Sequence, residues 1–238
     1  MKSQENEVAI TEDFEFAALA EARNYRKALV QEFAGFLKGD VIEIGAGIGQ
    51  MTAEFTRIGG IQRLLPVEPN SVFCRQHRGS CRESPVLEGT IDDVDHNSDW
   101  DAIVSINVLE HIEEDEQELR KYAALLKRKG GALCLFVPAR PEIYAPIDKN
   151  FGHFRRYTKK TLEKRLTASG FSIRRINYFN FTGYFAWWLN FCVLKKLTFE
   201  IKKVRFYDQI VFPSVHFLES RVLRPPLGQS LVVVATAK

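Results

Sequence analysis

The chain has 238 residues, 45% hydrophobic and 26% charged, enough to bury a substantial core, and no glycine-serine or proline-rich linker divides it. Its four cysteines, Cys74, Cys81, Cys134 and Cys192, show neither CxxC pairing nor a regular framework, and the first residues lack a basic-then-apolar leader. That argues against a disulfide scaffold, a cysteine metal site and secretion, and for a reducing, cytoplasmic setting. The net charge of +3 hides a basic C-terminal part: residues 151–238 carry 16 Lys and Arg against 4 Asp and Glu, residues 1–150 carry 17 against 26. Such a part suits an anionic substrate, nucleic acid or a membrane surface, or a solvated face on an acidic core.

Leu19, Ala22, Tyr25, Leu29, Phe33 and Phe36 recur at helical spacing and predict a helix over about residues 11–36, ended by Gly39-Asp40. Val41-Ile42-Glu43-Ile44 is an apolar strand running into Gly45-Ala46-Gly47-Ile48-Gly49. Glycines there take positive φ and carry no Cβ, so a ligand can lie against the backbone of the turn. Residues 50–57 read as the first core helix, whose N-terminal amides would help hold a cofactor. A second apolar run ends on Glu68-Pro69, where a carboxylate can accept both hydrogens of a ribose diol. Residues 71–78 read as the next helix, 86–91 as a short strand opening on Asp92 and Asp93, and 101–106 as strand four. The helix over about 115–127 is followed by Gly130-Gly131 and a fifth strand to Val137. Thr158 is placed to cap a helix over 159–168, with Gly170 closing it. Residues 171–178 and 231–235 are the last strands, and the alternation of strand with helix predicts a parallel sheet.

About fifty residues, 179–229, separate the last two strands, and connections of that length are usually functional. They open with Phe179, Phe181, Tyr184, Phe185, Trp187, Trp188, Leu189 and Phe191, without a charge before Lys195-Lys196. At the lower limit for a membrane span, and broken by Asn180, Gly183 and Asn190, the run reads as core packing, as a lid over a hydrophobic pocket, or as a helix lying in a membrane interface. The chain is taken as a single domain over 1–238, with an N-terminal helical region (1–38) and an aromatic and basic cap insertion (179–229).

Three motifs in order carry a resemblance. Glu43 two residues before Gly45-Ala46-Gly47-Ile48-Gly49, the strand and loop from Asp101 to Ile112, and the turn and strand from Gly130 to Pro138 resemble those of the class I S-adenosylmethionine-dependent methyltransferases, of the type 11/12-like kind. A dinucleotide fingerprint needs a glycine at position 50, where this chain has Gln50, so an NAD-dependent dehydrogenase is disfavoured. The resemblance extends to about residue 178. It implies an α/β, Rossmann-like, seven-stranded and mostly parallel sheet in the order 3-2-1-4-5-7-6, with strand 7 antiparallel and an α-helical insertion between strands 6 and 7. It also implies S-adenosyl-L-methionine as cofactor: Glu43, Gly45, Ala46, Gly47 and Gly49 at its turn, Glu68 and Pro69 at its ribose, and Ile91 and Asp92 at its adenine. Asn107 and Val108 would meet the cofactor beyond strand four, and Tyr25 would close over it from the N-terminal helix.

A sulfonium methyl group is already electrophilic, so such a protein mainly aligns donor and acceptor and, for some acceptors, removes a proton. His111, beyond the end of strand four, is the first candidate for that base, with Asp148 and His153 as further catalytic candidates. Glu110-His111 resembles the Glu-x-x-Glu-His magnesium site of small-RNA end methyltransferases and of some quinone-pathway O-methyltransferases. Asn107 stands in place of the first glutamate, so no metal is expected, although His153 could supply a further ligand. The stretch from Tyr144 to Thr158 resembles a segment of bacterial methyltransferases encoded near glycosyltransferases.

Arg155, Arg156, Tyr157, Tyr184, Trp187 and Trp188 are the candidate substrate-binding residues. Guanidiniums bind phosphate or carboxylate in two-point fashion, or else Arg155 and Arg156 bridge to the acidic loops at 92–93 or 113–114. The expected acceptor is a small or a lipid- or glycan-linked molecule methylated on oxygen, with a peripheral contact at the inner membrane as one use of the insertion. The alternatives are an RNA or other nucleic-acid methyltransferase and a non-catalytic cofactor-binding protein. The first is disfavoured because an apolar run interrupts the basic residues and no Asn/Asp-Pro-Pro-Tyr/Phe tetrapeptide occurs.

Overall fold

Successive side chains of a strand point to opposite faces of its sheet, so a strand buried on both sides must be apolar throughout. The computed structural model describes residues 16–198, 200–221 and 225–238. Seven strands form one sheet: β1 (Gly39–Ile44), β2 (Ile61–Glu68), β3 (Leu87–Glu88), β4 (Ala102–Ile106), β5 (Ala132–Pro138), β6 (Phe171–Phe179) and β7 (Ser230–Ala237). Their order is β3-β2-β1-β4-β5-β7-β6. All neighbours pair in parallel except β7, which runs antiparallel between β5 and β6. This is the order the resemblance implies.

The helices are α1 (Arg23–Phe33), α2 (Thr52–Phe55), α3 (Ser71–Ser80), α4 (Asp115–Leu126), α5 (Pro146–Asn150), α6 (Lys159–Ala168), α7 (Phe181–Trp187), α8 (Ile201–Phe206) and α9 (Phe212–Arg221). On one face of the sheet Ile42, Ile103, Leu133, Leu135 and Val233 pack against Leu119 and Tyr122 of α4 and Leu162 and Leu166 of α6. On the other, Val41, Val104, Cys134, Phe136 and Val232 pack against Leu29 and Phe33 of α1, Phe55 of α2 and Phe212 of α9. The split follows the alternation along each strand. Thr158 caps α6 as expected, its Oγ1 accepting from Thr161 N at 3.1 Å.

Three elements depart from expectation. The helix expected over 11–36 is broken: residues 16–21 are helical, Ala22 leaves the helical backbone with ψ 59°, and residues 11–15 lie outside the described part. The break frees the first amides of α1, and those of Asn24 and Tyr25 donate to the Asp208 carboxylate at 3.0 and 2.8 Å. The helix expected over 50–57 shrinks to α2, because the glycine turn still occupies Gln50 and Met51. The strand expected over 86–91 pairs only at Leu87 and Glu88, since Thr90 Oγ1 accepts from Asp92 N at 3.3 Å and starts a 3-10 turn, Ile91–Asp93.

The insertion folds as α7, a π-helical turn (Trp188–Val193), α8, a second π-helical turn (Tyr207–Val211) and α9. Among the described residues no helix is long and apolar enough to cross a membrane.

Leu133 is fully buried in β5 between β4 and β7. Leu133→Ala is expected to lower the unfolding free energy by about 2–5 kcal/mol, read from urea denaturation; a loss below about 0.5 kcal/mol, the size of an ordinary surface change, would contradict this core.

Candidate active site

The sheet order reverses between β1 and β4, and open α/β sheets bind ligands in the crevice at the carboxyl ends of such strands. Gly45 N and Ala46 N donate to Val67 O at 2.9 and 3.1 Å, tying the glycine turn to the end of β2. Gly45 has φ +73° and Gly47 φ +54°; a Cβ would lie 2.3 Å from Val108 Cγ2 at the first and 2.8 Å from Phe16 Cε1 at the second. The Glu68 carboxylate, buried at the tip of β2, accepts from Gly47 N at 2.8 Å and from Asn70 N at 2.9 Å. Burial raises its pKa despite those two bonds. Ile91 is buried nearby, Pro69 is exposed, and the Asp92 carboxylate pairs with Lys121 Nζ at 2.6 Å. Asn107 leaves β4 in the left-handed region at φ 51°, a conformation its side chain tolerates, and its N–H bonds to Phe136 O at 2.9 Å.

Sequence reasoning missed Phe16, which packs edge-on against Phe73 with centroids 4.9 Å apart and accepts at its carbonyl from Gln50 Nε2 at 2.9 Å. Phe16 therefore lies over the turn.

Behind the turn, Thr52 Oγ1 donates to Glu43 Oε2 at 2.6 Å, and His77 Nε2 is 3.0 Å from the same hydroxyl. A Cβ on Gly49 would meet Cys81 Sγ at 2.8 Å and His77 Cδ2 at 3.0 Å. Glu43 and Gly49 thus brace the turn from its back. A polar Thr52 and His77 on otherwise apolar buried faces were the available signal for this network.

Burial pushes the Glu43 carboxyl up to about 8. With its unfolded pKa near 4.3, the group's contribution to stability is fully present below that value and is lost as pH rises through about 8. Glu43→Gln is therefore expected to narrow the fall in Tm between pH 5 and pH 8, measured by thermal melts. An identical fall in both proteins would contradict it.

On the other side of Asn107 lies a cavity of about 620 Å³, floored by the sheet end and roofed by the insertion. Tyr25, Pro138, Phe151, Trp187 and Phe191 make its lining mainly apolar, while Asn107, Glu110, His153 and Arg156 are polar groups on its wall. The insertion also supplies Asn180, whose Oδ1 accepts from Gly183 N at 3.0 Å and whose Nδ2 donates to Gln229 Oε1 at 2.9 Å. Both Asn180 and Gln229 line the cavity.

The histidines divide. His153 Nδ1 is 3.1 Å from Asp148 Oδ1, and its Nε2 is 4.0 Å from Glu110 Oε1. Asp148 is fully buried and does not line the cavity; it accepts from Ala145 N at 2.8 Å and pairs with Arg156 Nη2 at 2.8 Å. This catalytic candidate thus stands behind His153 and holds it. His111 crosses His153 edge-on at 4.7 Å. Partial burial and then the His153 charge push its pKa down to about 4. Glu110, His111 and His153 bring donor atoms within 4.8 Å of one another, a set that could hold a cation.

Of the substrate candidates, Arg156 and Trp187 reach the cavity, with the guanidinium 4.4 Å from the indole centroid. Arg155 pairs with Asp115 at 2.9 Å, and the Tyr157 hydroxyl donates to Asp115 Oδ2 at 2.8 Å. Both therefore stand in the framework, not on the cavity. Tyr184 packs partly buried beside Trp187 and Phe191, and Trp188 points outward, 47% exposed; neither lines the cavity, because on one helical turn only Trp187 faces inward.

Residues 17–176 match the model of a methyltransferase domain family. A Bacillus halodurans protein proposed to be a methyltransferase superposes with a TM-score of 0.61 at 16% identity, covering 87% of this chain and 97% of its own. An S-adenosylmethionine-dependent methyltransferase of Mesorhizobium loti gives 0.57 at 14%, over 84% and 92%, and one of Archaeoglobus fulgidus 0.56 at 18%, over 96% and 98%. Among curated proteins no sequence matches the chain. The residues present fit the cofactor: at the two positive-φ glycines a Cβ would collide with Val108 and Phe16, so the turn admits main chain alone, and a buried carboxylate stands at the end of β2. Glu68→Ala is expected to weaken S-adenosylmethionine binding ~10- to 100-fold in calorimetry, the worth of hydrogen bonds to a charged group; unchanged affinity would remove Glu68 from the site. The family match over most of the chain, the sheet order and this cradle make the protein a member of the class I S-adenosylmethionine-dependent methyltransferases.

Proposed function

We propose that the enzyme methylates a hydroxyl oxygen of a small or a lipid- or glycan-linked acceptor whose apolar part fills the cavity under the insertion. The observation that carries this reading is a histidine, His153, in the wall of a mainly apolar cavity of about 620 Å³, backed by the buried Asp148 carboxylate. Cavities of that size bury most of a medium-sized ligand, with a few polar groups fixing its orientation.

Bound S-adenosylmethionine supplies an electrophilic methyl group on a positively charged sulfur. Glu68 would hold its ribose hydroxyls, Gly45, Ala46 and Gly47 its backbone-facing side, Ile91 its adenine, and Asn107 and Val108 the side nearest the cavity. What remains for this chain is to orient a hydroxyl and take its proton. Asp148 fixes His153 with Nδ1 toward the carboxylate, which turns Nε2 to the Glu110 side of the cavity wall. Asp148 itself stays ionised: burial raises its pKa, but the His153 hydrogen bond and the Arg156 guanidinium outweigh that and hold it below the usual range. A carboxylate so placed stabilises the imidazolium that forms as His153 accepts the proton. His111, with its low pKa, serves as packing against His153.

The test is transfer of tritiated methyl from S-adenosylmethionine into hydroxyl compounds of a total bacterial lipid extract. His153→Gln is expected to lower kcat ~10²- to 10⁴-fold with cofactor affinity unchanged, and His111→Asn to have a smaller effect. Label entering RNA alone, or a wild-type kcat for His153→Gln, would contradict the reading. Chelation with EDTA is expected to leave turnover intact; a loss restored by Mg²⁺ or Mn²⁺ would assign Glu110, His111 and His153 to a cation instead of a proton.

A further inference from the structure

The helix formed by α7 and the π-helical turn after it is apolar on both sides. Its inner side, with Trp187 and Phe191, is buried. Its outer side, with Phe185, Trp188, Leu189 and Val193, is exposed, and exposure continues through Leu194 and Leu197 and returns at Phe206, which is 62% exposed, and Ile210. A helix without a polar face is expected in a core or against lipid, and apolar exposure gathered on one element marks an interaction site.

Charge on the insertion selects the partner. Residues 179–229 carry seven Lys and Arg against three Asp and Glu, and each acid is engaged within the protein. Glu200 takes Lys196 and Lys203 at 2.9 and 2.7 Å, Asp208 takes the α1 amides, and Glu219 takes Phe181 N at 2.7 Å. Lys195 and Lys202 flank the apolar residues, exposed and outside every ion pair among the described residues. The same surface reaches the cavity, because Phe206, Lys196 and Lys203 also line it.

We propose that this outer face docks on an anionic lipid bilayer, as an interfacial attachment with aromatic and aliphatic side chains in the headgroup boundary and lysines at the phosphates. Docking would set the cavity mouth at the lipid surface, where an amphiphilic acceptor enters without crossing water. The inference deepens the acceptor reading, but its test does not use turnover, so the two can fail separately.

The experiment is cosedimentation of the full chain with phosphatidylcholine vesicles, with and without phosphatidylglycerol. Binding is expected to the anionic vesicles and to weaken as salt screens the lysines. The double variant Leu194→Asp with Leu197→Asp, neither residue lining the cavity, is expected to bind at least about tenfold more weakly. Lys195→Glu with Lys202→Glu is expected to abolish the preference for anionic over neutral vesicles. Both variants should bind S-adenosylmethionine as the wild type does, which shows that they fold. Wild type that stays in the supernatant with both vesicles would overturn the proposal, as would undiminished binding by the leucine variant. A wild-type dimer that the leucine variant disperses, without vesicle binding, would overturn it in favour of a second copy of the chain.

Discussion

One fully buried carboxylate organises the wall of the cavity under the insertion. Asp148 accepts from the Ala145 amide, from His153 and from Arg156, so a single group caps a short helix, aims an imidazole and neutralises a guanidinium. Arg156 in turn donates to Ala139 O at 3.1 Å and lies under the Trp187 ring, which ties the end of β5 to the roof of the cavity. Removing either partner of a buried ion pair strands the other, at a cost of about 3–5 kcal/mol. The floor and the roof are therefore fixed together.

The cofactor side is built by different means. There backbone does most of the work: turn amides bond to the end of β2, positive-φ glycines shape a turn with no room for a Cβ, and Glu68 takes an amide from the turn. The side chains behind it, Glu43, Thr52 and His77, stiffen the turn. Asn107 is the hinge of the arrangement, since it follows β4 at the cradle and also lines the cavity. The insertion then acts on both sides of itself, with Trp187 turned in and Trp188 turned out.

The fold was legible because both-face burial writes itself as apolar runs, and because the motifs of β1, β4 and β5 stand in order. The glycine turn and Glu68 were legible for the same reason, as local features of consecutive residues. What escaped was set by partners distant in sequence. Arg155 and Tyr157 look like anion binders until Asp115, some forty residues earlier, takes both. The break at Ala22 follows from Asp208, far along the chain, which caps α1. Two adjacent tryptophans gave no sign of which faced the cavity, because a helix with apolar residues all round has no readable moment. His111 stood in the expected loop, yet partial burial and the neighbouring His153 hold its pKa down.

Asn107 follows β4 at the cradle and lines the cavity, so cofactor and acceptor would meet there in one continuous site. A crystal structure with S-adenosylhomocysteine tests it most directly. The ribose hydroxyls are expected on Glu68 and the sulfur facing the cavity across Asn107, with His153 on the far wall. A ribose away from Glu68, or a wall of side chains between the sulfur and the cavity, would contradict it.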